Sequence, residues 1–268
     1  MDLMAMHDLA VRAAREGGRM ALAALGNPLF QQWKDTRDLL VGSVPPIQDQ
    51  ISSLLRAERP DDVIYAEEGA GDPPPAEGVV WIVDPLDGSL NYYQGIPHFA
   101  ISIALRVDDI YEIGVVYDPC RNELFHAVRG KFSRLNDEPI NVQLVAEGET
   151  AYDKAFVGTD WPGGMLQRQQ SLNIATVLAT QCITLSAMGS PALGFCYVAC
   201  GRLHAYYHTT LQLWDVAAAA VILSEGGGVL TNIVGNSWRH SDGGYIATNG
   251  VIHGWLVRTT KAVLGRST

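Results

Sequence analysis

The sequence predicts an α/β fold (layered α+β), with helices laid on sheets. Three observations predict it. From residue 155 onward, short apolar runs alternate with helical stretches, the pattern of sheets covered by helices. Before that point, apolar runs of strand length are bounded by Gly, Pro and Asp. Finally, 47% of the 268 residues are hydrophobic and 18% are charged, enough for one large domain or two coupled ones around a substantial core. Such a composition excludes a disordered chain.

The first element is an amphipathic helix over residues 2–25, with Leu3, Met6, Leu9, Ala13 and Met20 toward one side and Gly26-Asn27-Pro28 as its stop. A second helix is expected from Pro46 to Ala57, with Ile47, Ile51, Leu54 and Leu55 inward. Two strands follow, Val63–Ala66 and Val79–Val83, separated by the turn-rich loop Gly69-Ala70-Gly71-Asp72-Pro73-Pro74-Pro75. Leu90-Asn91-Tyr92-Tyr93 can start a helix. Phe99–Val107 and Tyr111–Tyr117 form a hairpin through Asp108-Asp109-Ile110, and Glu123–Val128 adds a third strand. The polar, aperiodic stretch Gln143–Lys154 is taken as a boundary, dividing an N-terminal half (1–145) from a C-terminal half (146–268). The second half reads as strand Ala155–Gly158, helix Leu166–Ala179, strand Cys182–Ser186 and helix Pro191–Cys200. Strand Leu203–Tyr207, helix Leu213–Ser224, strand Tyr245–Thr248 and helix Ile252–Leu264 complete it.

A formal net charge of −10 argues against nucleic acid or an anionic membrane as partner. It also means that a phosphate ligand needs bound cations to reverse the local sign. The start Met1-Asp2-Leu3-Met4 has no basic segment ahead of an apolar core, and the longest apolar run, Val216–Leu223, is too short to span a bilayer. A cytoplasmic protein is expected. Cys120, Cys182, Cys196 and Cys200 lack C-x-x-C spacing. Cys196 and Cys200 share a helix face, read either as a thiol metal or redox pair or, in preference, as two small buried residues.

The chemistry concentrates in Asp84-Pro85-Leu86-Asp87-Gly88-Ser89, which follows a strand. Two carboxylates three residues apart face a turn whose Gly and Ser can present backbone N–H groups. Carboxylate oxygens suit Mg²⁺, and such N–H groups suit a phosphate. A capped turn with two solvated aspartates is the plainer alternative for the hexapeptide alone. Two more segments add context. Glu67-Glu68-Gly69 follows the strand Val63–Ala66, and Trp214-Asp215-Val216-Ala217-Ala218 opens a helical run ending at Glu225-Gly226-Gly227-Gly228. Asp215 falls in its first turn, near the positive end of the helix dipole.

In this order, the segments resemble the inositol monophosphatase family of Mg²⁺-dependent, lithium-sensitive phosphatases. That family carries E-E after a strand, then D-P-[IL]-D-G-[ST]-x-N, then W-D-x-A-A with a trailing E-x-G-G. The resemblance runs from about Lys34 to the C-terminal helix. It implies a layered α-β-α-β-α sandwich with the metal site between the two halves, and a homodimer. It implies metal binding by Glu67, Asp84, Asp87, Asp215 and the Leu86 carbonyl, with Asp84 bridging two Mg²⁺ ions. Gly88 and Ser89 would hold the phosphate, and Ser89 with Glu67 would orient the attacking water as the catalytic pair. Gly189, Ser190, Pro191, His208 and Asp215 would line the substrate pocket. Glu68 would play a supporting structural part.

Three departures from the family pattern stand out. Its D-L-V-T-x-x-D segment appears as Asp38-Leu39-Leu40-Val41-Gly42-Ser43-Val44, so Val41 replaces Thr and Val44 replaces an Asp that supports a third metal. A shifted register would bring in Asp49, inside the second helix. Met188-Gly189-Ser190-Pro191-Ala192 matches G-[ST]-A-A with proline for the first alanine. His204-Ala205-Tyr206-Tyr207-His208 stands where the family reads D-x-Y-x-E, placing His208 where a glutamate contacts substrate hydroxyls. Two histidines four apart also raise a zinc reading, but no third ligand lies nearby and on a strand the pair would be about 13 Å apart, at ~3.3 Å per residue.

The reading that follows is an Mg²⁺-dependent phosphoric monoester hydrolase acting on a small polyol or sugar phosphate by metal-activated water. Within the class, fructose-1,6-bisphosphatase and bisphosphate nucleotidase activities are alternatives, mildly disfavoured by the lack of a basic cluster near the site. Outside it, Val41 and Val44 motivate a metal- or phosphate-binding protein with weakened catalysis.

Overall fold

Apolar residues at helical spacing build the first helix, α1 (Leu3–Ala24), whose start is capped by Asp2 accepting from the Met4 and Ala5 N–H groups. The computed structural model describes residues 1–26, 30–33, 39–143, 151–239 and 241–265. A short antiparallel pair, β1 (Phe30–Trp33) and β2 (Leu39–Val41), leads to α2 (Val44–Glu58). This helix begins two residues before Pro46, because Pro45 and Pro46 fall in the first turn, where a missing N–H costs nothing. Asp38 of the expected D-L-V-T segment lies outside the described residues.

The chain then builds a seven-stranded sheet from β3 (Val63–Ala66), β4 (Val79–Asp87), β5 (Ala100–Val107), β6 (Ile110–Asp118), β7 (Glu123–Val128), β8 (Phe132–Leu135) and β9 (Glu138–Pro139). The strands lie in chain order. The β3–β4 pair is parallel and the rest are antiparallel. A five-residue helix, α3 (Ser89–Tyr93), sits between β4 and β5.

The second sheet has five strands in the order β11-β10-β12-β14-β13. Its elements are β10 (Phe156–Thr159), α4 (Met165–Leu178), β11 (Thr184–Ala187), α5 (Pro191–Ala199), β12 (Ala205–His208), α6 (Leu213–Glu225), β13 (Val229–Asn232), β14 (Tyr245–Thr248) and α7 (His253–Leu264).

Three apolar clusters define five layers. Met6, Leu9, Ile47, Ile51 and Leu55 of α1 and α2 pack with Trp81, Val83, Ile101 and Ile103 on one face of the seven-stranded sheet. Val80, Ile82, Ala104 and Phe125, on its other face, pack against α5 and α6, which also meet Tyr206 and Ala247 of the second sheet. Ile174 and Leu178 of α4 and Leu256 of α7 cover the far face of that sheet through Val157, Tyr207 and Ile246. This is the α-β-α-β-α layering. Neighbours along β4 face opposite ways and both faces are buried, which is why Val79–Val83 reads as a continuous apolar run.

Strands β8, β9 and β13 lack a strand-like signal because they are short and polar on one side. Most of the boundary stretch 143–154 lies outside the described residues. Helix α6 sits very close to the sheet. A Cβ on Gly114 of β6 would stand 2.1 Å from the Ala218 carbonyl oxygen, so only glycine admits the helix at this depth.

Candidate active site

The Asp-Pro-Leu-Asp motif is part of β4 itself rather than of a turn after it. Asp84 pairs with Ser102 and Asp87 with Ala100, so three steps on β4 match two on β5. That extra residue is a β-bulge. On a regular strand, residues three apart point to opposite faces. The bulge brings Asp84 and Asp87 to the same face, the one covered by α6. Leu86 goes to the other side, where its side chain is buried in the α1/α2 core, so what it offers the cleft is backbone. Gly88 follows with φ +90°, and a Cβ there would meet the Gly189 and His98 carbonyl oxygens at 3.0 Å. No other residue type fits without strain.

Asp215 arrives from α6. It is the third residue of that helix, and its Oδ2 accepts from the Gln212 N–H at 2.7 Å in a capping box. Asp84, Asp87 and Asp215 each offer an oxygen within 4.8 Å of the others. Among the described residues this is the group of His, Cys, Asp and Glu side chains close enough to share an ion. Burial, then the charges of Glu67, Asp87 and Asp215, hold the Asp84 carboxyl well above the usual carboxylate range. Burial and the Asp215 charge do the same for Asp87. Three crowded hard oxygen donors of this kind fit a divalent cation, whose charge removes the repulsion that raises them.

These carboxylates form the floor of a cleft of about 1050 Å³ between the two sheets. Glu67, Ser89, Gly189, Pro191 and His208 also line it. Glu67 stays in register with β4 through its N–H to the Val83 carbonyl (3.1 Å). The turn after it is gripped by Gln48 of α2, which donates to the Glu68 carbonyl at 2.7 Å and accepts from the Glu68 N–H at 2.9 Å.

Ser190 does not line the cleft. It is fully buried, and its hydroxyl donates to Asp87 Oδ2, which also accepts from the Ala192 N–H at 3.1 Å. Val41 and Val44 are both buried in the α1/α2 core, away from the cleft wall. Asp49 is exposed on α2. His204 is buried elsewhere and its Nδ1 accepts from the Phe156 N–H at 2.9 Å, so no zinc pair forms with His208. All four cysteines are free thiols.

His208 is buried, and its Nδ1 accepts from the Thr210 N–H at 3.2 Å. The hydrogen of the neutral ring therefore sits on Nε2. Burial pulls its pKa down to about 4.

Several residues of the cleft carried no readable sequence signal. Asp160, in the loop after β10, accepts from the Gly189 N–H at 2.5 Å and from the Tyr206 hydroxyl at 2.8 Å. Burial pushes its pKa up to about 6 despite those bonds. Asn91 of α3 donates to the His98 carbonyl at 2.9 Å and to the Met188 carbonyl at 2.7 Å, tying the two halves of the cleft together. Arg168 of α4 and Trp161 form part of the wall. The one available signal was positional: Thr159-Asp160-Trp161-Pro162 joins a strand to a helix beside the expected pocket.

The inositol monophosphatase family model matches residues 2–264. "Nus factor SuhB" of Pasteurella multocida is 34% identical over 246 residues, covering 90% of each chain. Among solved structures, an IMPase of Thermotoga maritima superposes with a TM-score of 0.89 at 26% identity over 100% of both chains. The extragenic suppressor protein SuhB of Bartonella henselae gives 0.89 at 29% identity, over 96% of this chain and 98% of that one.

Proposed function

Since the chain belongs to the inositol monophosphatase family, we propose that it is an Mg²⁺-dependent phosphatase hydrolysing a small phosphate monoester. The observation that carries this reading is the convergence of Asp84, Asp87 and Asp215 within 4.8 Å at the floor of a large cleft. Glu67, Asp84, Asp87, Asp215 and the Leu86 carbonyl would hold Mg²⁺. When bound, the metal neutralises charge on the phosphoryl oxygens, activates water and stabilises the leaving oxygen.

The protein's own groups would do the remaining work. The Gly88 and Ser89 N–H groups would cradle the phosphate, and the bulge in β4 sets where that cradle stands relative to the carboxylates. The Ser89 hydroxyl and Glu67 would orient the attacking water. Ser190 and the Ala192 N–H fix Asp87 through one oxygen, leaving the other for a cation. Gly189, Pro191 and His208 would face the alcohol portion of the ester.

Phosphate release from a panel of polyol and sugar phosphates, with Mg²⁺ and again in excess chelator, tests the reading. Metal-dependent release from at least one ester is expected. Full activity in chelator would overturn the metal mechanism. A second reading, a metal- or phosphate-binding factor with weakened catalysis, is favoured by the burial of Val44 where the family carries an aspartate. The relatives that bear the name of Nus factors point the same way. The same panel separates the two.

A further inference from the structure

Arg168 and His208 both line the cleft, and a hydrogen bond joins the residues next to them in the chain: the Thr209 hydroxyl donates to the Gln167 carbonyl at 3.0 Å. The Ser171 and Thr209 hydroxyls, 2.8 Å apart, add a second tie between α4 and the end of β12. This locks the helix that carries Arg168 to the strand that carries His208.

Both side chains present donors there. The Arg168 Nε donates to the Pro162 carbonyl at 3.0 Å, which orients the guanidinium, while its two terminal nitrogens have no protein partner among the described residues. His208 uses Nδ1 as an acceptor toward Thr210, leaving Nε2–H as its remaining polar group. A carboxylate at the His208 position would accept hydrogen bonds from vicinal hydroxyls. This pair can only donate, and a fork of guanidinium N–H groups matches a planar anion.

We propose that the cleft takes a phosphate ester whose alcohol carries a carboxylate, the phosphorylated form of a hydroxy acid, with Arg168 and His208 gripping that carboxylate. The proposal rests on the phosphatase reading of the same cleft and replaces its neutral polyol with an anionic leaving group. Asp160 also lines this cleft, but both of its oxygens are engaged, one by the Gly189 N–H and one by the Tyr206 hydroxyl.

Glycerol 2-phosphate and 2-phosphoglycerate differ by a hydroxymethyl against a carboxylate, so they isolate the feature. With Mg²⁺, kcat/KM is expected to favour 2-phosphoglycerate by about tenfold, the worth of one charge-assisted hydrogen bond. In Arg168→Gln the ratio of the two esters should fall toward one, and Arg168→Lys should keep an intermediate ratio. Arg168 is half-buried, and circular dichroism checks that both variants fold. Equal rates on the two esters in the wild type, or an unchanged ratio in Arg168→Gln, would overturn the proposal. If neither ester releases phosphate, the phosphatase reading is judged by the wider panel of polyol and sugar phosphates, independently of the carboxylate preference. Calorimetric binding of the two esters in the presence of Ca²⁺ then decides the carboxylate preference, with the same ratio expected and the same equality as its refutation.

Discussion

Ser190 and Asp87, 103 residues apart in the chain, meet through a hydrogen bond in which the serine hydroxyl donates to Oδ2 of the aspartate. The Ala192 N–H donates to the same oxygen. One carboxylate of the seven-stranded sheet is thus oriented by the first turn of α5. Outer groups that orient a ligand oxygen tune metal affinity by about 10–100-fold. Ser190→Ala should therefore raise the Mg²⁺ concentration for half-maximal activity by about tenfold, with a smaller change in turnover at saturating Mg²⁺. A metal titration of both proteins checks this, and an unchanged titration would show that the Ala192 N–H suffices.

Asp87→Asn removes a charge from the group of three. Turnover is expected to fall by roughly three orders of magnitude, about 4 kcal/mol of barrier. Because the substitution also relieves repulsion among buried carboxylates, the metal-free variant should melt at a higher temperature than the metal-free wild type. Thermal melts in chelator and steady-state rates at saturating Mg²⁺ test both halves of the expectation.

Val44→Asp puts a carboxyl into a site that is 2% exposed and lined by α1 and α2 side chains. The carboxyl would stay protonated or unfold its surroundings, at a cost of about 3 kcal/mol. Chemical denaturation should register this loss, while the Mg²⁺ dependence of the surviving activity stays as in the wild type. A lowered Mg²⁺ requirement would mean that the start of α2 reaches the cleft after all.

His208 gives a stability signature in acid. Burial lowers its folded pKa to about 4, below the ordinary value of 6.5. Its neutral form is therefore the one the fold favours. That contribution is complete above pH 6.5 and is lost as pH falls from there toward 4, amounting to on the order of 3 kcal/mol. The wild type should lose stability across this window faster than His208→Gln. Denaturation midpoints of both proteins at pH 7 and pH 4.5 provide the comparison, and parallel losses would place the acid sensitivity in the other buried histidines.

Much of the fold was legible because its strands and helices are long and apolar. The runs Val79–Val83 and Phe99–Val107 are buried on both faces, and Leu213–Leu223 is almost wholly enclosed, so hydrophobicity alone marks them. The motif residues were legible through their order along the chain. The bulge that unites Asp84 and Asp87 was not, since it exists only in the pairing of β4 with β5. Nor were Asp160 and Arg168, whose part in the cleft arises from long-range contacts to Gly189, Tyr206 and the end of β12. Ser190 shows the same limit: its position was read, but the direction of its hydroxyl depends on a partner 103 residues away.

The close seat of α6 on Gly114 bears on which sides of the cleft are rigid. With α5, that helix forms the middle layer of the molecule between the two sheets, so its central amide hydrogens are expected to exchange slowly with solvent. Asp215 is therefore carried by the first turn of an otherwise enclosed helix. Glu67, at the end of an edge strand and ahead of a Gly- and Pro-rich loop, belongs to a part that can open locally. A cation bound in the cleft would then exchange from the Glu67 side, while the floor under Asp215 keeps its shape.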